Sequence, residues 1–316
     1  MIINLLSLLR RHGSALMATG LVIGLAFPGL AAILRPALPT FIFLLVVSAF
    51  LTVDWPALLT HARRPLRLVL ISIWNAVAIP IALVFPAQLL HLPPQLIESI
   101  ALWATSPPLS SSVAMAVLLG LDDALALLVM AIGTFISPFI LPPLTVGLIG
   151  VDLGLGVIPL MTRLTLFIGG AGLVAFVLRH FIGNTRLQRY SLHIGGFNVV
   201  LLNLFAIAIM DGVRDRIFSE PETILLFVTT AFAISLLAQT ATFIAFFWLG
   251  WLPALTSAML AGNRNMGVVV ATLGSAASPE IVLFFVAVQF PIYLLPMMLG
   301  PIYRRFGAGI GNQKNT

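Results

Sequence analysis

The chain has no cysteine among its 316 residues, which excludes disulfides, thiolate metal sites and thiol chemistry. Charge is also scarce, since 8% of the residues are charged and 60% are hydrophobic, whereas soluble domains carry about 25% charged residues. The five histidines, at positions 12, 61, 91, 180 and 193, show no metal-ligand spacing. These absences argue against a soluble globule and a metal centre, and they indicate a protein with many membrane spans.

The net charge of +6 results from 16 Lys and Arg residues against 10 Asp and Glu residues. All but one of the basic residues are arginines, the exception being Lys314. A basic balance can indicate nucleic-acid binding, but here the basic residues lie between apolar runs and form no continuous patch. Arginines in such positions are typical of cytoplasmic loops. The expected partner is therefore the lipid bilayer, and neither nucleic acid nor an obligate protein partner is indicated.

Ten windows of about 20 apolar residues, the length that crosses roughly 30 Å of hydrocarbon, can be placed along the chain. They cover residues 15–34, 37–53, 67–91, 95–119, 122–147, 156–179, 190–210, 221–247, 252–276 and 280–302. Residues 2–12 are expected to form an interfacial helix, and residues 307–316 a short polar tail. No room remains for a soluble domain, so the fold class predicted is an all-α polytopic membrane protein with one transmembrane domain.

The basic residues of the predicted loops are distributed unequally between the two sides of the membrane. Eleven lie on the side that holds both termini, four lie on the opposite side, and Arg264 lies within a span. Cytoplasmic loops carry the excess of Lys and Arg. We therefore expect a multi-pass protein of the plasma or cell inner membrane with both termini in the cytoplasm.

The two halves of the chain resemble one another at an offset of 153 residues, with repeat one at about 1–150 and repeat two at about 154–306. The matching positions are Pro138 with Pro291, Pro143 with Pro296, Ser110 with Asn263, and Ser112 with Asn265. Five spans per half is an odd number, so the second half must be inverted relative to the first. Inverted repeats with interrupted helices in matching positions are typical of transporter binding sites.

The fourth span is interrupted by T-S-P-P-L-S-S-S, Thr105 to Ser112. Pro107 and Pro108 lack amide hydrogens, which disrupts the helical hydrogen bonds and frees upstream carbonyls. Freed carbonyls and serine hydroxyls are oxygen ligands for a cation, and a restarted helix turns its positive end towards the gap. The alternative is a simple proline kink whose serines bond back to the helix. Both interpretations stay open for this segment alone.

The ninth span contains A-G-N-R-N-M-G, Ala261 to Gly267. Polar and ionisable residues at membrane depth are costly and usually mark a substrate or ion pathway. Arg264 could neutralise a carboxylate on another span, but the spans contain few acids. We therefore predict that both spans unwind, near 106–110 and 262–265, that they cross, and that the guanidinium faces an anionic ligand. The predicted substrate-binding residues are Ser110, Ser111, Asn263, Arg264 and Asn265.

These features resemble the bile acid:sodium symporter family along nearly the whole chain. The family's E-x-G-x-Q-N-S-G stretch aligns with Leu260 to Gly267, its C-P-G-G-T-A-S-N-like stretch with S-P-P-L-S-S-S-V, and its third-helix glutamine with Asn75, five residues before Pro80. The resemblance implies ten spans in two inverted halves, with broken, crossing helices four and nine. It also implies secondary transport by alternating access, in which a core of spans 3–5 and 8–10 rocks against a panel of spans 1–2 and 6–7.

The resemblance implies sodium as the one cofactor, with ion-binding residues Ser112, Asn75, Thr134 and Gly262. Here, however, the family's acidic ligand is Leu260 and its ligand glutamine is Arg264, so a sodium ion would face a fixed positive charge. Two readings stay open: a small-organic-anion carrier with altered sodium sites, and a proton-coupled or uncoupled carrier. The chain lacks the clustered histidines or paired acids of a membrane enzyme, so an enzyme is not expected, and a membrane sensor or receptor is the non-transporter alternative.

Overall fold

A computed structural model of the chain describes residues 13–52, 65–150 and 154–308. The expected interfacial helix at 2–12 and the end of the polar tail lie outside these residues. Within the described residues, all regular secondary structure is helical. The helices are α1 (Gly13–Ala26), α2 (Pro28–Leu34), α3 (Leu38–Thr52), α4 (Pro65–Ile73), α5 (Ile79–Leu89), α6 (Pro94–Thr105), α7 (Ser112–Leu119), α8 (Asp123–Pro142), α9 (Val157–Ile182), α10 (Asn184–Arg189), α11 (Ser191–Ala208), α12 (Val213–Ser219), α13 (Pro221–Phe246), α14 (Trp251–Gly262), α15 (Met266–Leu273), α16 (Pro279–Ala287) and α17 (Gln289–Ala308).

Six helical runs in the described residues are long and apolar enough to cross a membrane, and a seventh is formed if α11 and α12, bent by 41°, are one span. The six runs are Pro28–Leu51, Pro65–Leu89, Asp123–Gly147, Val157–Ile182, Pro221–Leu249 and Pro279–Phe306. Five of them agree within a few residues with predicted spans. The chain therefore has the all-helical, apolar architecture of a multi-pass membrane protein.

The first two predicted spans meet at a different place from the one expected. The sequence placed the boundary at residues 35–36, but helical structure continues through Arg35–Ala37 and the interruption lies at Phe27, with φ −123° and ψ 74°. Phe27 precedes Pro28, and the ring of a proline disfavours the helical conformation in the residue before it. Arg35, expected in a loop, is instead within the helical run.

By the contacts between its residues, the chain divides into two compact units. Unit 1 comprises residues 1–53 and 165–225, and unit 2 comprises residues 54–164 and 226–316. Predicted spans 1, 2 and 7 fall in unit 1 and predicted spans 3–5, 9 and 10 fall in unit 2, whereas predicted spans 6 and 8 are divided between the two units.

In unit 1, α11 packs against α1 and α3. Gly20 and Gly24 of α1 permit the close approach, because a Cβ at Gly24 would lie 2.7 Å from the carbonyl oxygen of Ile207. Small residues four apart let apolar helices pack backbone against backbone. The unit also contains an ion pair, in which Arg35 Nη1 lies 2.7 Å from Asp211 Oδ2.

Unit 2 has an apolar core formed mainly by α4, α7, α8, α14 and α17. It includes Leu68, Val129, Leu255, Met259 and Leu260, all of them buried. Leu260 therefore packs in an apolar cluster, at the position where the resemblance places an acidic ligand.

Two helices of unit 2 are interrupted at the predicted places. The proline break, Ser106–Ser111, separates α6 from α7, and the arginine break, Asn263–Asn265, separates α14 from α15. The flanking helices have equal lengths, 12 residues before each break and 8 after it. α7 and α15 are each followed by a glycine with positive φ, Gly120 (70°) and Gly274 (57°).

Candidate functional site

The two breaks lie against each other and are joined by backbone hydrogen bonds. The N–H of Leu109 donates to the carbonyl oxygen of Asn263 at 2.9 Å, and the N–H of Asn265 donates to that of Pro107 at 2.8 Å. These bonds form an antiparallel bridge centred on Pro108 and Arg264. Unwound backbone at membrane depth must find such partners, because an unpaired group in hydrocarbon costs several kcal/mol. The predicted unwinding and mutual contact of the two helices are confirmed.

A third backbone irregularity lies beside the breaks, in the helical run of α4 and α5. Residues Trp74–Ala78 form a π-helical turn, in which the N–H of Ile79 donates to the carbonyl oxygen of Trp74. In a regular α-helix that N–H would bond to the carbonyl of Asn75. The next residue, Pro80, has no N–H to donate. The carbonyl oxygen of Asn75 is therefore left without a donor from its own helix.

Each break frees a further carbonyl oxygen. In a continuous helix the N–H of Asn265 would bond to Ala261, but it donates instead to Pro107 across the bridge. Helix α6 ends at Thr105, one residue before Ser106, so the carbonyl of Ser106 has no following helical turn to donate to it. Three carbonyl oxygens, from three separate segments, thus need donors at one place.

Arg264 supplies those donors. Its Nε donates to the carbonyl oxygen of Ala261 at 2.8 Å, and its Nη1 donates to those of Asn75 at 2.9 Å and Ser106 at 3.2 Å. Its Nη2 donates to Oδ1 of Asn75 at 3.2 Å. The residue is 1% exposed. A guanidinium has five N–H groups in a fixed planar arrangement, which suits it to bridge acceptors from several segments.

The expectation that Arg264 lacks a protein partner is wrong. Its partners are neutral oxygens, and the sequence does not reveal them because they are carbonyls freed by the breaks and the π-helical turn. Arg264 has no carboxylate within 4 Å in the described part of the chain. The site is thus a buried positive charge surrounded by neutral oxygens.

A small cavity adjoins the guanidinium. The space inside it that the centre of a water molecule can reach is about 10 Å³, enough for one water molecule. Its polar lining consists of Ser72, Asn75, Thr105, Ser106, Ser137 and Arg264. Gly133 of α8 also lines it and lets this helix approach the proline break, because a Cβ there would lie 2.7 Å from Cδ of Pro108.

Of the five predicted substrate-binding residues, only Arg264 lines this cavity. Asn263 is buried and follows the last residue of α14. Its Nδ2 donates to the carbonyl oxygen of Met259, in the last turn of that helix, at 2.7 Å. Asn265 is partly buried and acts through its backbone N–H in the bridge. Ser110 and Ser111 are partly exposed, lie at the far end of the proline break, and are not part of the cavity wall.

The four predicted ion-binding residues do not form one oxygen site among the described residues. Asn75 is bonded to Arg264, and Oγ1 of Thr134 donates to the carbonyl oxygen of Met130 at 2.8 Å. Oγ of Ser112 is buried without a hydrogen-bond partner in the described residues and does not line the cavity.

Gly262, the fourth of these residues, has a packing role. It is the last residue of α14 and does not have positive φ. A Cβ there would lie 2.5 Å from Cγ of Gln239, whose Oε1 accepts a hydrogen bond from the hydroxyl of Tyr303 at 2.6 Å. The glycine therefore leaves room for a fixed glutamine.

Sequence reasoning missed Ser72, Thr105, Ser106 and Ser137 as cavity residues. Ser72 and Asn75 are three residues apart, so they share one face of a helix. That spacing was the available signal, but it becomes informative only when Asn75 is known to face the breaks.

No protein-family model matches the chain, and no curated protein matches it. Function must therefore be argued from the site itself.

Proposed function

We propose that this protein is a secondary active transporter of a small organic anion, working by alternating access. The observation that carries the proposal is the buried guanidinium of Arg264 at the paired breaks, which has neutral oxygens as its only hydrogen-bond partners in the described residues. A buried charge without a counter-charge is costly, and an anionic ligand would compensate it. Ionisable residues in such positions usually belong to a transport pathway.

The architecture supports a carrier in three ways. The breaks have equal flanking helices of 12 and 8 residues, as expected of two related halves. The π-helical turn adds an irregular segment, and such turns are frequent at functional sites. The chain also groups into two compact units, as a carrier with two moving bodies would. We therefore propose ten spans in two inverted halves, with both termini cytoplasmic, in a relative of the bile acid:sodium symporters in the plasma or cell inner membrane.

Coupling to sodium does not fit the site as well as a sodium-independent mechanism does. Four oxygen atoms converge on the guanidinium, as they would on a bound metal cation, and Leu260 is buried among apolar residues where an acidic ligand would be needed. A second cation here would be repelled by the first at short range. We propose that Arg264 takes the place of a coupling cation, so uptake is uncoupled or coupled to protons.

The test is uptake by purified protein reconstituted in liposomes, with a panel of small mono- and dicarboxylic acids and imposed sodium, proton or no ion gradients. We expect uptake of at least one acid without sodium, and thermal stabilisation of the protein by the same acid. Arg264→Lys keeps the positive charge but replaces the planar guanidinium and its five N–H groups with an ammonium group. Uptake of the acid and its binding, measured as thermal stabilisation, should therefore both weaken about tenfold or more.

Arg163→Ala is the matched control, because Arg163 is an exposed arginine of unit 2 that donates to one carbonyl oxygen, that of Leu273. It should transport normally. Strict dependence on a sodium gradient would show that Arg264 is structural and that a separate sodium site drives uptake. Binding of an acid without uptake would favour the sensor or receptor alternative, and failure of every acid to bind or be taken up would refute the anion carrier.

A further inference from the structure

We propose that the cavity beside Arg264 is an anion site that binds one small anionic atom between the guanidinium and the hydroxyl of Ser72. The atom is either a free halide such as chloride or the charged oxygen of a transported carboxylate, and the second source rests on the proposed function. The sequence did not indicate a role for Ser72. The proposal rests on the hydrogen-bond donors of the cavity, the uncompensated charge of Arg264 and the size of the cavity.

The hydroxyl groups of the cavity differ in whether they have a proton to donate. Oγ1 of Thr105 donates to the carbonyl oxygen of Ala101 at 2.7 Å, and Oγ of Ser106 donates to that of Leu102 at 2.6 Å. Oγ of Ser137 donates to that of Thr134 at 2.8 Å. Each of these three hydroxyls therefore already donates its hydrogen to a backbone carbonyl three or four residues earlier in the chain and has no second hydrogen for a ligand.

Ser72 is the exception among the cavity hydroxyls. It is 4% exposed, it lines the cavity, and its Oγ has no hydrogen-bond partner in the described residues. Buried polar groups are normally hydrogen-bonded, and an unsatisfied one needs an explanation such as an ion or water that the protein holds there. Its hydroxyl is a donor with nothing to donate to, which is the group an anion requires.

Arg264 provides the second donor and the charge. Its four hydrogen bonds leave at least one of the five N–H groups without a protein acceptor in the described residues. A carboxylate does not compensate its charge within 4 Å there. An anion in the cavity would accept from both groups and remove the uncompensated charge, which a water molecule would not do. A cation would be repelled by the guanidinium.

The size of the cavity limits the ligand to one atom of about the size of water, since the accessible space is about 10 Å³. A whole dicarboxylate does not fit in a cavity of this size. One oxygen of a carboxylate matches this size if its remaining atoms lie outside the cavity, and a chloride or bromide ion, which is larger than water, fits after a small outward shift of the wall.

The experiment measures the thermal stability of the purified full-length protein in detergent against rising choline chloride or choline bromide, with choline gluconate at equal ionic strength as the reference. A separate series uses choline formate and choline acetate. Choline replaces sodium throughout, so that a cation effect cannot be mistaken for an anion effect. Crystals grown in bromide would locate the ion independently by its anomalous scattering.

Ser72→Ala removes the proposed donor with almost no change of volume. Ser235→Ala is the matched control, because Ser235 is also buried, also without a partner for Oγ in the described residues, and does not line the cavity. We expect halide to raise the melting temperature of the wild type and of Ser235→Ala, with about tenfold weaker binding to Ser72→Ala. In gluconate, Ser72→Ala should be as stable as the wild type or more so, because it lacks an unsatisfied hydroxyl.

Equal shifts in chloride, bromide and gluconate for the wild type would overturn the proposal and leave a water molecule as the occupant. An anion-specific shift that is the same in Ser72→Ala would also overturn it. Stabilisation by halide but not by formate or acetate identifies the inorganic source, and competition between halide and the small carboxylates identifies a shared site. A halide effect that depends on Ser72, without uptake of any organic acid, upholds the site while the proposed transport function fails.

Discussion

The proline break and the arginine break interrupt two helices of matching length by opposite chemical means. In the proline break, Pro107 and Pro108 remove N–H donors, so the segment contributes acceptors in excess. In the arginine break the backbone keeps its donors and Arg264 adds five more. The backbone bridge itself is reciprocal, because each segment donates one N–H and accepts one. The difference appears beside it, where the carbonyl oxygen of Ser106 accepts from the side chain of Arg264.

Removing the donor should have the largest effect on this pairing. Arg264→Ala leaves the carbonyls of Asn75, Ser106 and Ala261 without their side-chain donor. An unsatisfied buried group costs about 1–3 kcal/mol, so we expect an apparent free energy of unfolding lower by about 3–5 kcal/mol, reduced from the full sum because water can enter the space. Denaturation in mixed detergent micelles measures it. Arg264→Lys should lie between the wild type and Arg264→Ala, and a stability of Arg264→Ala equal to that of the wild type would show that the breaks do not depend on the guanidinium.

Filling the space beside the proline break should have the next largest effect. Gly133→Ala places a Cβ 2.7 Å from Cδ of Pro108, and a proline ring cannot turn away as a flexible side chain can. Overpacking of this kind typically costs about 1–3 kcal/mol. The same denaturation assay measures it, with Gly169→Ala as the control because nothing lies within 4 Å of a Cβ there. The control should be neutral or slightly stabilising, and equal effects of the two substitutions would contradict the close packing.

A smaller effect should appear when the acceptor at Asn75 is given another donor. Pro80→Ala restores an N–H that can bond to the carbonyl of Asn75 within its own helix, so Arg264→Lys should cost less in that background. Neighbouring groups in one hydrogen-bond network usually have a coupling free energy of about 0.5–3 kcal/mol. We expect a coupling free energy at the lower end of this range between Pro80→Ala and Arg264→Lys, measured by a double-mutant cycle. Pro86→Ala, in the same helix but not on the cavity wall, should combine additively with Arg264→Lys. Additivity of both prolines with Arg264→Lys would mean that Pro80 does not create the need for the guanidinium.

The smallest effect should come from the arginine that has one carbonyl partner. Arg163 is exposed, and its Nη1 donates to the carbonyl oxygen of Leu273 at 3.3 Å. Arg163→Ala should lower the apparent free energy of unfolding by less than about 1 kcal/mol, because water or lipid headgroups can replace an exposed donor. A loss as large as that of Arg264→Ala would show that burial and the number of acceptors are not what distinguishes the two arginines.

The sequence anticipated the breaks because their causes are local. Consecutive prolines cannot continue a helix, and an arginine between two asparagines is too costly for an ordinary span. It also anticipated five of the six long apolar runs, since hydropathy over about 20 residues is a property of the segment itself. It placed the boundary of the first two spans at Arg35 and Pro36, whereas the structure interrupts the helix at Phe27, before Pro28.

The residues that surround the guanidinium could not be predicted in the same way. The sequence proposed Ser110, Ser111 and Asn265 as neighbours of the ligand because they lie near the breaks in the chain, but the cavity is lined by Ser72 and Ser137 of other helices. It also treated Arg264 as unpartnered, because a search for partners in a sequence looks for acidic side chains. The actual acceptors are backbone carbonyls, which every residue has.

What the sequence by itself determined is the class of protein and the location of the proline break and the arginine break, because composition, proline and buried charge act through local geometry and the cost of desolvation. What only the tertiary structure decided is which freed carbonyls meet which donor. The carbonyl of Asn75 lies 189 residues from Arg264 in the chain and 2.9 Å from its Nη1 in the fold. That pairing depends on how three helical segments pack together. Packing is a property of the whole of unit 2, so the sequence of any one segment does not reveal it.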